Sequence, residues 1–117
     1  MENLVQRYIE LWNARDAERR NALLEAIFTE DATYVDPLMQ AEGWEGIDGL
    51  VQAVQTRFPE AHFTAVGSVD PVSDHLRFSW TLGPMDGPPI IGGTDFGRVV
   101  VGRFASVVGF LNPVPTA

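Results

Sequence analysis

The sequence predicts one α+β domain in which helices pack on one face of a curved, mostly antiparallel sheet. Apolar residues recur at helical spacing in the first half of the 117 residues, whereas alternation and turn residues dominate the second half. Hydrophobic residues make up 45% of the chain, which is enough for a core at this length. Since no linker or repeat interrupts the pattern, residues 1–111 are predicted to form a single domain and residues 112–117 a tail.

Three helices are predicted from the spacing of apolar residues. The first covers residues 3–14, and Asp16 is a suitable N-cap for the second, which extends to about Phe28. The apolar stripe of the third helix ends at Phe58, and Pro59 stops it.

The other elements are predicted as strands and loops. A short strand over residues 33–36 stops at Pro37, and a loop over residues 38–46, which contains Trp44, leads into the third helix. The strands of the second half are predicted over residues 62–69, 76–82, 94–101 and 104–111. The last two form a hairpin about Gly102, so this half should be an antiparallel meander.

Composition excludes several kinds of chemistry. Without Cys there is no thiolate nucleophile or thiolate zinc site, and without Lys there is no Schiff base. His62 and His75 are too far apart in sequence for the short spacings of metal sites. No Gly-rich phosphate fingerprint is present, so we expect neither a metal nor an organic cofactor.

The charge of the chain limits its partners and its location. The net charge is −8, which repels both a nucleic-acid backbone and an anionic membrane surface. The N-terminus has no basic region and no long apolar run, which argues against a signal peptide or a membrane helix. We therefore expect a cytoplasmic protein that binds neither nucleic acid nor membrane.

Tyr8, Asp36 and Asp95 are the candidate catalytic residues. Tyr8 is on the apolar stripe of the first helix, and strand alternation places Asp36 on the same face as Tyr34. Asp95 is in a strand that should be central, where a carboxylate is costly unless it is paired or protonated. A carboxylate beside two neutral donors in an apolar cavity can move a proton next to a carbonyl group.

Each of these residues also has an ordinary structural interpretation. Tyr8 could be a core tyrosine, and Asp36 before Pro37 could cap a turn. Asp95 could face water in a bulge, or pair with Arg98 if the register differs from the one predicted. The discriminating observation for Asp36 is whether its side chain touches a cavity.

The order of elements resembles the NTF2-like superfamily, the cone-shaped (cystatin-like) fold of nuclear transport factor 2, SnoaL-type cyclases and ketosteroid isomerases. The residues similar to ketosteroid isomerase are Val5-Gln6-Arg7-Tyr8, Asn13-Ala14, Phe28, Asp31-Ala32-Thr33, Asp36-Pro37, Thr94-Asp95-Phe96 and Gly109-Phe110-Leu111. The resemblance implies three N-terminal helices packed on the curved sheet.

The resemblance also implies a role for each candidate. Asp36 matches the general base that moves a proton between two carbons, and Tyr8 matches the phenol of the oxyanion hole. Asp95 matches the carboxylic acid that ketosteroid isomerase, the standard example of such tuning, keeps protonated. The sequence departs from the family at Gly97 and Val99, where bulkier residues are common, and in a Tyr8–Asp36 spacing about one helical turn longer.

The implied function is cofactor-independent proton transfer α to a carbonyl group, as in a ketosteroid Δ-isomerase. The expected partner is a hydrophobic, carbonyl-containing small molecule in a pocket of a few hundred Å³, within the usual range. The predicted substrate-binding residues are Trp12, Tyr34, Met39, Phe58, Trp80 and Phe110.

Three alternative functions stay open. The same pocket could bind a ligand without turnover, or the domain could be a purely structural dimerisation module. Epoxide hydrolysis, as in limonene epoxide hydrolase, needs an Arg two residues before the first Asp, and no such Arg-x-Asp occurs here. We also expect a homodimer, formed through the sheet face away from the helices, with Arg77, Ser79, Thr81, Phe96, Arg98 and Val100.

Overall fold

The computed structural model describes residues 2–112, which form three helices and six strands. In chain order these are α1 (Glu2–Asn13), α2 (Ala17–Ile27), β1 (Phe28–Val35), β2 (Gln40–Glu42), α3 (Gly43–Arg57), β3 (His62–Val72), β4 (His75–Gly83), β5 (Ile91–Val100) and β6 (Arg103–Asn112). The predicted α+β class is confirmed. Of the predicted tail, Asn112 ends β6, and residues 113–117 lie outside the described part of the chain.

The first two helices are where the sequence predicts them. Asp16 caps α2, because its carboxylate accepts a hydrogen bond from the Arg19 backbone N–H at 3.0 Å. The chain then passes from Ile27 directly into β1 at Phe28, five residues before the predicted start. Phe28 completes the helical pattern of apolar residues, but it pairs with Phe104 of β6 in the sheet. Pairing with β6 therefore overrides the helical spacing at Phe28.

The predicted loop over residues 38–46 is wrong from Gln40 onward. Gln40–Glu42 forms β2, which pairs with β1, and α3 begins immediately afterwards at Gly43. Gly43 has φ +79°, a left-handed conformation that turns the chain from strand to helix without loop residues. Trp44 consequently lies in α3 and donates its indole N–H to the Phe28 carbonyl at 3.0 Å.

The sheet has the strand order β2-β1-β6-β5-β4-β3. The meander from β3 to β6 is antiparallel, as predicted, whereas β1 and β6 are parallel neighbours. β3 continues to Val72, beyond the predicted end at Val69, because an edge strand tolerates Pro71. The β1–β6 pairing joins the two halves of the chain and places the end of β1 beside Val108 of β6, which in turn pairs with Phe96 of β5.

The helices cover one face of this sheet and enclose an aromatic core. Tyr8, Phe28, Phe78 and Phe104 are all nearly inaccessible to solvent, and the Tyr8 ring contacts the other three. None of the helices in the described region is long and apolar enough to cross a membrane.

Candidate functional site

A cavity lies between the helices and the concave face of the sheet. It encloses about 80 Å³ and reaches the surface at Leu38, a lining residue whose side chain is 79% exposed. Its walls are Tyr8, Ile9, Trp12, Tyr34, Asp36, Leu38, Met39, Val54, Phe58, Phe63, Trp80, Leu82, Ile91, Asp95 and Leu111. The three candidate residues therefore line one cavity, and Asp36 and Asp95 are its two carboxylates.

Tyr8 and Asp95 form the buried end of the site. The Tyr8 hydroxyl donates to Asp95 Oδ2 at 2.6 Å, and both residues are at most 2% exposed. Edge-on packing against Phe78 and Phe104, with ring centroids 5.0 and 5.6 Å away, fixes the phenol. Asp95 Oδ1 has no hydrogen-bond partner among the described residues.

No cationic side chain among residues 2–112 forms an ion pair with Asp95. Arg77 and Arg98 lie on the opposite face, as strand alternation predicts, where they pair with Asp70 and Asp74 at 2.8 and 3.5 Å. Burial raises the pKa of Asp95 to about 6, although the hydrogen bond from Tyr8 and the nearby Trp80 indole oppose the rise, and the charge of Asp36 adds to it.

That pKa bears on the protonation state expected from the sequence. The pKa of Asp95 is raised, which is the direction that the resemblance implies, but the neutral acid dominates only below about pH 6 in the free protein. The Tyr8 hydroxyl keeps the pKa of Asp95 from rising further, because a donor at 2.6 Å stabilises the carboxylate. A ligand that needs a neutral Asp95 must therefore bring about its protonation.

Asp36 lies half-buried at the mouth, just after β1. Its Oδ1 accepts the backbone N–H groups of Leu38 and Met39 at 2.8 and 3.0 Å, and its Oδ2 accepts the Tyr34 hydroxyl at 2.7 Å. Asp36 thus caps a turn and lines the cavity at once, so its structural interpretation is confirmed and its catalytic role stays a prediction. A carboxylate has about four lone-pair positions, which leaves roughly one free, on Oδ2.

Gly109 makes the convergence of these groups possible. It pairs with Asp95 across β5 and β6, and it follows the residue that pairs with Val35 of β1. A Cβ atom at this glycine would lie 2.9 Å from Asp95 Oδ1, 3.2 Å from Asp36 Cβ and 3.3 Å from the Tyr34 hydroxyl oxygen. The two carboxylates therefore approach from either side of a position where a side chain would crowd them both.

Both tyrosines in the cavity are neutral donors. Burial, followed by the negative charge of Asp95, raises the pKa of Tyr8 and of Tyr34 well above the usual value for a phenol. In the free protein each hydroxyl gives its proton to a carboxylate, Tyr8 to Asp95 and Tyr34 to Asp36.

Five of the six predicted substrate-binding residues line the cavity, namely Trp12, Tyr34, Met39, Phe58 and Trp80. The prediction for Phe110 is wrong. Its side chain is 54% exposed on the outer face, because Gly109 faces inward opposite Asp95 and strand alternation turns the next residue outward. Leu111 takes the lining position instead, and the inward direction of Asp95 together with the hairpin register could have identified it.

The predicted volume of a few hundred Å³ is also wrong. Aromatic side chains fill much of the interior, since the Trp12 ring packs 5.6 Å from Tyr34 and 5.7 Å from Phe63 between centroids. Phe63 in turn packs 5.1 Å from Trp80. Among residues 2–112, no group of three or more His, Asp or Glu side chains is arranged to hold a metal ion.

Comparison with known proteins identifies the family of this chain. Residues 5–107 match the SnoaL-like domain. The chain belongs to the SnoaL-like family. Among curated proteins, the search finds no match to this SnoaL-like chain.

Solved structures agree with this assignment. A candidate isomerase of the SnoaL-like family from Agrobacterium tumefaciens is 40% identical, with a TM-score of 0.89 over 94% of this chain and 95% of that one. A candidate ketosteroid isomerase from Kribbella flavida is 20% identical, with a TM-score of 0.71 over 98% and 79%. A candidate SnoaL-like polyketide cyclase from Jannaschia is 15% identical, with a TM-score of 0.74 over 94% and 83%. The last two support the fold alone.

Proposed function

We propose that this SnoaL-like domain is an isomerase-type enzyme that moves a proton α to a carbonyl group without a cofactor. The observation that carries the proposal is the pairing of two carboxylates in one apolar cavity. Asp36 has a lone pair free at the mouth, and Asp95 shares a short hydrogen bond with a buried phenol. The name of the Agrobacterium tumefaciens relative, a candidate isomerase, is consistent with it.

In the proposed reaction the ligand oxygen binds near Tyr8 and Asp95, and its α carbon faces Asp36 Oδ2. Asp36 removes the α proton, the C–H electrons move into the ring or chain as an enolate, and negative charge develops on oxygen. Tyr8 and neutral Asp95 stabilise that charge by donating hydrogen bonds. Asp36 then returns the same proton to a different carbon, so atoms and charge balance.

The cavity volume favours a small substrate. An apolar cavity of about 150 Å³ in another protein is known to hold benzene. The cavity here is smaller, at about 80 Å³, but it is open beside Leu38 and Met39, so part of a ligand can extend to the surface. We therefore propose a monocyclic or short-chain neutral carbonyl compound as substrate, in place of a steroid.

The reaction can be tested without knowledge of the natural substrate. The protein is incubated with 3-cyclohexenone in D2O, and conversion to 2-cyclohexenone and deuterium incorporation are followed by NMR. Conversion that disappears in Asp36→Asn supports the proposal. If a panel of small cyclic and acyclic ketones shows no conversion or exchange above the buffer rate, the proposed reaction is wrong.

Binding without turnover is a second candidate, and the bonding of Asp36 favours it. Two backbone amides and one hydroxyl already occupy most of its acceptor capacity, which is the arrangement of a structural turn cap. Under this alternative, phenols and enones raise the melting temperature by mass action, and Tyr8→Phe weakens their binding, but no exchange occurs.

We also propose a homodimer through the outer face of the sheet. Val66, Phe96, Val108 and Phe110 are each 37–54% exposed on that face, an unusual apolar surface for a chain of net charge −8. A second copy can cover them symmetrically. Light scattering should give twice the 12.9 kDa mass of one chain, and a single-chain mass at micromolar concentration would contradict this.

A further inference from the structure

We propose that the indole N–H of Trp12 is a third hydrogen-bond donor to the ligand oxygen, beside the Tyr8 hydroxyl and the Asp95 carboxyl group. The inference rests on the proposed function, because it adds a specificity-determining residue to the same oxygen-binding site.

Two unpaired polar atoms carry this inference. Within the part of the chain that the structure describes, Trp12 Nε1 and Asp95 Oδ1 are the buried side-chain nitrogen and oxygen atoms without a hydrogen-bond partner. Both residues are at least nine-tenths buried, and both line the cavity. An unpaired buried donor is costly, and native proteins pair nearly all such groups, so these two require an explanation. A ligand oxygen supplies the missing acceptor for the indole.

The indole and the phenol are set next to each other by α1. Trp12 comes one helical turn after Tyr8 on the same face, with ring centroids 6.2 Å apart. The Trp12 indole is near enough to the Tyr8 hydroxyl to oppose the rise of the Tyr8 pKa, although the two groups do not form a hydrogen bond with each other. Packing against Tyr34 and Phe63 fixes the ring in this position. An oxygen atom bound at the Tyr8 hydroxyl is therefore close to the indole.

Trp44 provides the contrast. Its indole N–H donates to the Phe28 carbonyl at 3.0 Å, although the residue lies outside the cavity and is only half-buried. The chain thus pairs a tryptophan N–H at a purely structural position. It leaves Trp12, which is more deeply buried and lines the cavity, without a partner among residues 2–112.

The consequence is selectivity for a ligand that brings an oxygen lone pair to this end of the cavity. Tyr8, Trp12 and protonated Asp95 then all donate, which suits a carbonyl oxygen or the enolate oxygen that forms from it. A hydrocarbon of the same shape leaves the indole unpaired, and an ammonium group has no lone pair to offer.

Two probe ligands isolate this contribution. 4-Fluorophenol and 4-fluorotoluene have nearly the same shape and differ in the group that Trp12 would bind, and fluorine NMR gives both dissociation constants. In Trp12→Phe, which retains a ring and removes the N–H, 4-fluorophenol should bind roughly fivefold to tenfold more weakly, the usual value of one hydrogen bond. The affinity for 4-fluorotoluene should change less than twofold.

Two further variants separate the possible failures. Phe63 lies beside Trp12 in the cavity wall and has no hydrogen-bond donor, so Phe63→Leu should change the affinity for both ligands equally. If Tyr8→Phe lowers the preference for 4-fluorophenol and Trp12→Phe does not, the role of Trp12 is wrong and the proposed function stands. If neither variant changes the preference, the oxygen does not bind there, and both proposals fail.

A measurement on the unaltered protein covers the case in which Trp12→Phe does not fold. The three indole N–H signals are followed by proton–nitrogen NMR during both titrations. The Trp12 signal should move downfield with 4-fluorophenol but not with 4-fluorotoluene, while the signal of Trp44 stays in place. Equal movement with both ligands would overturn the inference.

Discussion

The two carboxylates of the cavity have the same chemistry but opposite surroundings. Asp36 lies at the mouth, half-buried, and accepts hydrogen bonds from three donors on its own hairpin. Asp95 lies at the floor, 1% exposed, with one short hydrogen bond from another element and one unpaired oxygen. Local hydrogen bonds stabilise a carboxylate anion, whereas burial stabilises the neutral acid. Position in the fold thus gives two identical side chains different surroundings, and the proposed division of roles rests on that difference.

Removing the mouth carboxylate should have the largest effect on activity. Asp36→Asn keeps an oxygen that can accept the Leu38 and Met39 amides, so the turn should persist. We expect the isomerisation rate to fall about 10² to 10⁴-fold, the usual contribution of a positioned base. Asp70→Asn removes the same charge from the outer surface and should change the rate less than twofold. A similar rate in both variants would contradict the role of Asp36.

Replacing Asp95, the carboxylate at the buried end of the cavity, should show whether it acts as a neutral hydrogen-bond donor or as an anion. Asp95→Ala should lose roughly 10² to 10³ in rate, as expected for one oxyanion donor. Asp95→Asn should lose much less, because an amide can donate to the same oxygen. Equal, large losses in Asp95→Asn and Asp36→Asn would mean that Asp95 acts as an anion, and the contrast between the two carboxylates would disappear.

The stability of the fold should depend on pH through Asp95. Its folded pKa of about 6 exceeds the ordinary value of 3.8, so the folded state binds the proton more tightly than the unfolded state does. The resulting stability is fully present below the unfolded pKa and is lost as pH rises through the folded one, between about pH 4 and pH 6. The loss should approach roughly 3 kcal/mol.

Urea unfolding at several pH values measures this contribution of Asp95 to the free energy of unfolding. The difference in unfolding free energy between the original protein and Asp95→Asn isolates Asp95, because the other carboxylates titrate in both. That difference should fall as pH rises from 4 to 7. A constant difference over this range would show that burial does not perturb Asp95.

Gly109→Ala should disturb both carboxylates at once, with the smallest effect of the four changes. The new Cβ would meet Asp95 Oδ1 at 2.9 Å and Asp36 Cβ at 3.2 Å, and overpacking of this kind costs about 1–3 kcal/mol. Gly49→Ala is the matched control, since a Cβ there has open space on an exposed part of α3. It should stabilise the protein by up to about 1 kcal/mol. Equal effects would contradict the crowding at Gly109.

Local patterns were sufficient for much of this site. Helical spacing placed Tyr8 inward, and strand alternation placed Asp95 inward with Arg77 and Arg98 outward. These arguments need only the period of one element, and the register of one hairpin would also have given Leu111 in place of Phe110.

The long-range parts of the structure could not be predicted in the same way. The parallel pairing of β1 with β6 joins residues more than 70 positions apart in sequence, and no local pattern encodes it. The small cavity follows from how Trp12, Phe63 and Trp80 pack together. Gly109 lies inside the strand predicted over residues 104–111, but the need for a glycine there depends on what lies beside it in the sheet.

The turn from Asp36 to Met39 has a consequence for how the domain could acquire new ligands. Its amides hold the carboxylate, while the side chains of Leu38 and Met39 form part of the entrance. An insertion or exchange that reshapes the entrance here would also re-aim Asp36. Diversification, in nature or in the laboratory, should therefore proceed at lining residues outside this turn, such as Val54, Phe58 and Ile91, which form no hydrogen bond to Asp36.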